Sequence, residues 1–357
     1  MTDIAVIGGS LSGLSAAISA AQLGAKVTVF EKKKDIKDFY GGEIVPALHI
    51  LNKPFAAEYA ADNFIFYVKN KHVIPLPNNT IWMTNRAELQ KSLWEKAISN
   101  NVNIINDIVM AYEMSLLRRK YDYVIDASGY PSCTLNSTGF GRVENMASAI
   151  FYIVKGDFKE YKHDLHMWWL KDVRGKPNGY YWVFPKGDGK SANIGVGWLI
   201  NYKGQTFNAP KFEDLDKFMG QFTPKMEYTK IVKRGGHILP MKPLKQLTYE
   251  NILLVGDAAG LMNATLGAGN HLAIISGSVA GSVCAQNKAN RYQRTLMNII
   301  GNELWCSQKL FNLQQKLTFD QFEYYFPILR EIGPDIFFKK RALLKALLKF
   351  TKYRLLK

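Results

Sequence analysis

Three stretches of this 357-residue chain combine residue types that can bind a nucleotide and hold charge next to it. The first is Gly8-Gly9-Ser10-Leu11-Ser12-Gly13, after the apolar run Ile4–Ile7. Gly8 permits a tight turn, and Gly13 lets a following helix pack closely on the strand. The free N–H groups and positive dipole end of that helix suit a pyrophosphate. Ser10 replaces the middle glycine of the GxGxxG pattern, and its hydroxyl can bond a phosphate or the helix end. Glu31, with Lys32 beside it, closes a second apolar run, where a carboxylate can accept bonds from a ribose diol. Taken alone, this segment fits NAD(P) or FAD. The second stretch, Tyr121–Gly129, is a buried strand ending in the turn Ser128-Gly129. The third, Asn251–Gly260, has the turn Gly256-Asp257, whose carboxylate can hold a ribityl hydroxyl of a flavin. Just beyond it, Gly267-Ala268-Gly269 opens an apolar helix, and backbone N–H groups there can stabilise negative charge on a reduced flavin ring. These further segments favour FAD.

Each group has to be placed by an element. Ile4–Ile7, Lys26–Phe30, Tyr121–Asp126 and Asn251–Val255 have the continuous apolar character of strands buried on both faces. Ala16, Ala17, Ala20 and Ala21 give a small-residue helix that Gly24 ends. The pattern predicts an α/β Rossmann-type fold. The run Phe151–Trp198 is rich in aromatic and β-branched residues, which predicts an antiparallel sheet.

Composition narrows the class. Apolar residues make up 47% and charged residues 21%, which excludes a disordered chain. The net charge is +16, and eight basic residues without an acidic one fall between Lys339 and Lys357. No nucleic-acid-reading motif accompanies them, so an anionic membrane surface is the expected polyanion and nucleic acid is not. Three cysteines (Cys133, Cys284 and Cys306) make no CxxC or Cys/His cluster, so neither a metal site nor a disulfide framework is expected and a reducing compartment fits. No signal peptide is read at the N-terminus. Residues 258–286 lack fixed charge, but their Gly, Asn, Thr and His content reads as a buried loop and helix rather than a membrane span.

Tyr180-Tyr181-Trp182-Val183-Phe184-Pro185-Lys186-Gly187-Asp188-Gly189, followed by Asn193-Ile194-Gly195-Val196-Gly197, is similar to the YxWxFP…GxG motif of the geranylgeranyl reductase family. With the nucleotide segments, the chain resembles these FAD-dependent enzymes of the hydroxylase-like glutathione-reductase superfamily from residue 1 to about 290. Thr84–Leu89 resembles the family segment whose arginine, here Arg86, approaches FAD. The resemblance likewise assigns Gly42 and Gly129 to the cofactor site, and Tyr180, Trp182 and Phe184 to the wall of an apolar tunnel. Plain core packing is the competing role for those three. Two departures stand out. The family's cysteine turn reads Tyr40-Gly41-Gly42-Glu43 here, so no thiol role carries over, and Ala264 stands where a proline is usual.

The resemblance implies saturation of isolated C=C bonds in isoprenoid chains by hydride transfer from flavin N5. Electrons would come from NAD(P)H or a protein such as a ferredoxin. The proton donor is open, with Tyr180, Tyr40 and His271 candidates by chemistry only. Two other functions share the nucleotide motifs: an FAD monooxygenase, and a non-catalytic prenyl-lipid carrier that keeps FAD as a structural element. The end of the chain, 337–357, reads as a basic amphipathic helix, suited to anionic lipid or to packing on the body with a solvated basic side. The expected organisation is an FAD-binding domain from 1–55, 80–135 and 245–290, a substrate domain from 56–79 and 136–244, and a helical C-terminal region, 291–357. Cytoplasmic location with peripheral membrane association is the matching expectation.

Overall fold

The computed structural model describes residues 1–35, 41–46, 56–77, 79–222 and 228–355. Tyr40 lies outside the described residues. The chain opens with β1 (Asp3–Ile7), α1 (Leu11–Ala21) and β2 (Lys26–Glu31). Short strands follow: β3 (Ile44–Pro46), β4 (Ala57–Ala60), β5 (Asn63–Tyr67), β6 (Lys71–Pro75) and β7 (Ile81–Thr84). Next come α2 (Arg86–Ser99), β8 (Asn103–Asn106), α3 (Met114–Lys120), β9 (Tyr123–Asp126) and α4 (Cys133–Thr138). Longer strands β10 (Met146–Gly156), β11 (Asp164–Lys171), β12 (Pro177–Pro185) and β13 (Ser191–Tyr202) lead to β14 (Gln205–Thr206), α5 (Phe212–Phe222) and β15 (Tyr228–Pro240). The chain ends with β16 (Thr248–Tyr249), β17 (Ile252–Leu254), α6 (Asn270–Ala285), α7 (Tyr292–Gln314), α8 (Phe319–Glu323), α9 (Tyr325–Ile332) and α10 (Lys340–Leu355).

Among the described residues, β16-β17-β9-β1-β2-β8 form one sheet, parallel except at the β16 edge. Ile4, Ala5, Val6, Val124 and Ile125 are fully buried, as strands covered on both faces must be. Helices α1 and α6 pack backbone to backbone. A Cβ at Gly277 would lie 2.0 Å from the Ser12 carbonyl oxygen, and one at Gly281 would lie 2.0 Å from that of Ala16.

A second sheet runs β15-β10-β13-β12-β11-β5-β6, with β14 beside β13. It is antiparallel except where β5 pairs with β11 in parallel, a long-range pairing that the local pattern does not reveal. One face packs Val154, Val183 and Ile194 on Leu215 and Phe218 of α5. The other packs Phe66, Met167 and Phe184 against α7, α8 and α9. Strands β3, β7 and β4 form a small third sheet.

The C-terminal helices belong to the body. Phe337, Phe338 and Leu343 are buried in the core beneath the large sheet. The inner face of α10 is thus packed, while Leu344 and Leu348 are 52% and 75% exposed on its outer side. Among the described residues, no helix is long and apolar enough to cross a membrane.

Candidate active site

The carboxyl ends of β1, β2 and β9 open onto a cavity of about 620 Å³, as expected for a ligand crevice in a parallel sheet. At this end the first turn is built by exclusion. Gly8 sits at φ +100°, and a Cβ there would meet the Ala127 carbonyl oxygen at 2.4 Å. A Cβ on Gly13 would lie 1.8 Å from the Gly8 oxygen. Only glycine lets α1 start this close to β1. Glu31 is fixed by accepting from the amides of Gly9 (2.5 Å) and Lys33 (2.8 Å). Ser10 is the N-cap of α1 but makes no side-chain cap bond, and the first turn holds no acidic residue. Its hydroxyl accepts instead from Arg86 Nη2 at 2.9 Å, and Arg86 Nη1 donates to Gln90 Oε1 at 2.9 Å. Arg86 is buried, its hydrogen-bond partners are neutral, and burial lowers its pKa to about 10. A buried guanidinium with no ion-pair partner among the described residues, beside an open helix N-terminus, is the electrostatic complement of a diphosphate.

Asp257 faces the cavity at the turn after β17, and its Oδ2 lies 2.7 Å from His237 Nε2. This contact joins the nucleotide sheet to β15 of the large sheet. The hydrogen bond to Asp257 holds the His237 pKa above its usual range, against burial and the nearby Lys33 and Lys32. The loop Gly267–Gly269 lines the cavity next to it. That loop hangs from Asn263, whose amide donates to Ala268 O (3.0 Å) and whose side chain donates to buried Glu303 (2.9 Å). His271 Nε2 lies 2.8 Å from the same Glu303 oxygen.

Tyr180, Trp182 and Phe184 project from one face of β12 into the far end of the cavity. Trp182 opposes Gly195 on β13, and a Cβ on Gly195 would come within 2.1 Å of the indole. The glycine that follows the aromatic triplet makes room for the tryptophan, so the two halves of the motif are one packing unit. Trp182 Nε1 donates to Asn193 Oδ1 (2.9 Å), and Asn193 Nδ2 donates to Glu43 Oε2 (3.0 Å). Glu43 also pairs with Lys186.

A model of the geranylgeranyl reductase catalytic domain matches residues 147–238, the part that carries this aromatic wall. A pyridine nucleotide-disulphide oxidoreductase model matches residues 2–153. The chain is 25% identical over 315 residues to digeranylgeranylglycerophospholipid reductase 2 of Methanothermobacter thermautotrophicus, covering 80% of this chain and 78% of that one. It is 28% identical to the like-named protein of Methanosphaera stadtmanae, again over 80% and 78%. A geranylgeranyl bacteriochlorophyll reductase-like structure from Thermoplasma acidophilum superposes with a TM-score of 0.74 at 22% identity, over 97% of this chain and 95% of that one.

Through this catalytic segment and over four fifths of its length, the chain is similar to the geranylgeranyl reductase family. It is an FAD-dependent oxidoreductase, and the donor set fits FAD: a cationic, amide-rich end, a central carboxylate and an aromatic, apolar end.

Of the residues that the sequence assigns to the cofactor, Gly8, Ser10, Ser12, Glu31, Lys32, Gly42, Arg86, Gly129, Asp257, Gly267, Ala268 and Gly269 line this one cavity. Gly9, Gly13 and Gly256 stand behind it. Gly9 holds Glu31, Gly13 admits α1, and Gly256 (φ +54°) lies against Ser12. The chemical candidates for proton donation fare differently. Tyr180 lines the cavity, but its hydroxyl donates to Leu266 O (2.7 Å), and burial pushes its pKa up. His271 is buried behind the loop on Glu303, off the cavity wall. Glu43, Asn193, Lys186 and His237 were not singled out in the sequence. Three of them lie inside recognised motif stretches, but only the pairing of distant strands shows that their side chains meet.

Proposed function

We propose that the protein saturates isolated C=C bonds in the isoprenoid chains of a membrane lipid or prenyl compound. The carrying observation is the single cavity that joins the nucleotide-sheet crevice to the aromatic wall of Tyr180, Trp182 and Phe184. Bound reduced FAD supplies hydride chemistry at its N5 position. The chain's own residues bind, orient and exclude water. Arg86 and the start of α1 would hold the diphosphate, Glu31 the ribose, and Asp257 a ribityl hydroxyl. The amides of Gly267–Gly269 would face the flavin ring and stabilise negative charge on it. Tyr180, Trp182 and Phe184 would hold the apolar chain against the ring, with Tyr180 anchored by Leu266 so that the wall keeps its shape. The related chains act on digeranylgeranylglycerophospholipids by name, so an archaeal-type diether lipid is the first substrate to try. We assign the electron donor to NAD(P)H or a ferredoxin-like protein, and place the enzyme at the cytoplasmic membrane surface, with the basic outer side of α10 against anionic headgroups.

The test is anaerobic. Purified FAD-bound protein is reduced with dithionite and given geranylgeranylated glycerophospholipid, and the products are read by mass spectrometry. Hydrogen gained by the chains supports the proposal. Unchanged lipid, with oxygen inserted into other substrates once air is admitted, would place the protein among the monooxygenases.

A further inference from the structure

A carboxyl sits in the wall of the cavity between the cofactor loop and the aromatic wall, and no role described above uses it. Glu43 is 7% exposed. Its main-chain oxygen accepts from the amide and hydroxyl of Thr84 on β7 (2.9 and 2.7 Å), which fixes the backbone. On either side, Gly42 O and Ile44 O accept from Asn270 Nδ2 (2.7 and 3.3 Å), and Asn270 directly follows the Gly267–Gly269 loop. The side chain is held by Asn193, which also holds Trp182. One end of this chain of contacts therefore touches the loop assigned to the flavin ring, and the other touches the wall assigned to the substrate. Lys186 pairs with the second carboxyl oxygen from the turn after β12.

Reduction of an unpolarised alkene needs a proton beside the hydride. The family's thiol is missing from the turn before Glu43, the Tyr180 hydroxyl is committed to a carbonyl, and His271 is off the wall. We propose that Glu43 is the proton donor of this reduction and that Lys186 stabilises the carboxylate left behind. The inference rests on the reductase reading given above. The π bond of the alkene breaks. One carbon receives the hydride of the reduced cofactor. Its neighbour forms a C–H bond with the proton of the Glu43 hydroxyl, whose bonding electrons stay on the carboxylate. The alkene is reduced, the cofactor is oxidised, and Glu43 regains a proton from solvent past the nearly buried Lys186. Burial pushes the Glu43 pKa up, opposed chiefly by Lys186 and Asn193. Among the described residues, the other titratable groups facing it are Glu58 and Tyr59 on β4 and Arg86 on α2. A buried carboxyl on the cavity wall and a cation ready for its conjugate base are what a general acid requires.

E43Q keeps the shape and the bond to Asn193 but has no proton to give. In FAD-loaded protein reduced with dithionite, lipid-driven flavin reoxidation should slow by about 100-fold or more, with FAD content unchanged. E43D should recover part of the rate. The wild-type rate should fall as pH rises through the Glu43 pKa, and the residual E43Q rate should be flat. Independently of turnover, infrared pH titration of resting holoenzyme should show a protonated carboxyl band that E43Q lacks. Should E43Q fail to hold FAD because Lys186 is left unpaired, the E43Q/K186M variant removes both charges, and a slow rate in that folded protein supports the assignment. A wild-type rate and pH profile in either variant would overturn it, as would an infrared titration in which E43Q loses no band. A wild-type protein that hydrogenates nothing would overturn the reductase reading instead, while the infrared band would still report on the Glu43 proton.

Discussion

Arg86 shows how a single side chain can announce its ligand. Its guanidinium is buried on neutral hydrogen-bond partners, and the charge of nearby Glu43 only partly offsets that burial, an arrangement that a bound anion would relieve. Replacing Arg86 by Met should weaken FAD binding by about 2–5 kcal/mol, read as Kd by flavin fluorescence titration. Unchanged affinity would remove Arg86 from the cofactor site. His237 makes a pH-dependent contribution. Its folded pKa is raised by Asp257, so the contact stabilises fully below the unfolded value of about 6.5 and is lost as pH rises through the folded value. Thermal melts of apoprotein should separate wild type from His237→Gln at low pH and bring the two together at high pH. A gap that widens with pH would contradict that sign. His237 is about half exposed, so the gap should be small. The sequence made Arg86 visible through the Thr84–Leu89 resemblance. It left His237 silent, because a histidine inside a long β15 carries no local mark of the aspartate it meets.

Among the elements, α1 and α6 depend most on residue size. Gly277 and Gly281 leave no room for a side chain against Ser12 and Ala16, and Ser12 lies on the cavity. Gly281→Val should therefore destabilise the protein by more than about 1–3 kcal/mol, seen in denaturant unfolding, and should lower FAD retention with it. Stability within a few tenths of a kcal/mol of wild type would mean that the helices do not pack as described. The β1–α1–β2 unit was legible because strand, glycine turn and helix are contiguous and each glycine has a steric reason. The parallel pairing of β5 with β11 was not. Asn63 and Asp164 lie side by side but far apart in sequence, and alternation fixes which residues face inward without fixing the partner strand.

Seen whole, the molecule joins the helical C-terminal region to the substrate side. Phe337, Phe338 and Leu343 fill the core under β5 and β11, so deleting residues 337–357 would unfold part of the body and would not isolate membrane binding. The cleaner variant is Leu344→Ser with Leu348→Ser, which leaves the packed face alone. It should fold normally and lose about tenfold or more of its co-sedimentation with anionic vesicles. Equal sedimentation would remove α10 from the membrane surface. The amphipathic pattern was readable in the sequence, but the side covered by protein was not, because the covering residues come from α7 and α9.

The central claim is that reduced FAD in this cavity passes its electrons to an isoprenoid double bond. Its most direct test is one anaerobic stopped-flow experiment on dithionite-reduced holoenzyme mixed with geranylgeranylated lipid, following the flavin absorbance. The account predicts recovery of the oxidised flavin spectrum with geranylgeranylated lipid and none with the fully saturated lipid. A flavin that stays reduced with both lipids, yet reoxidises at once in air, would contradict it.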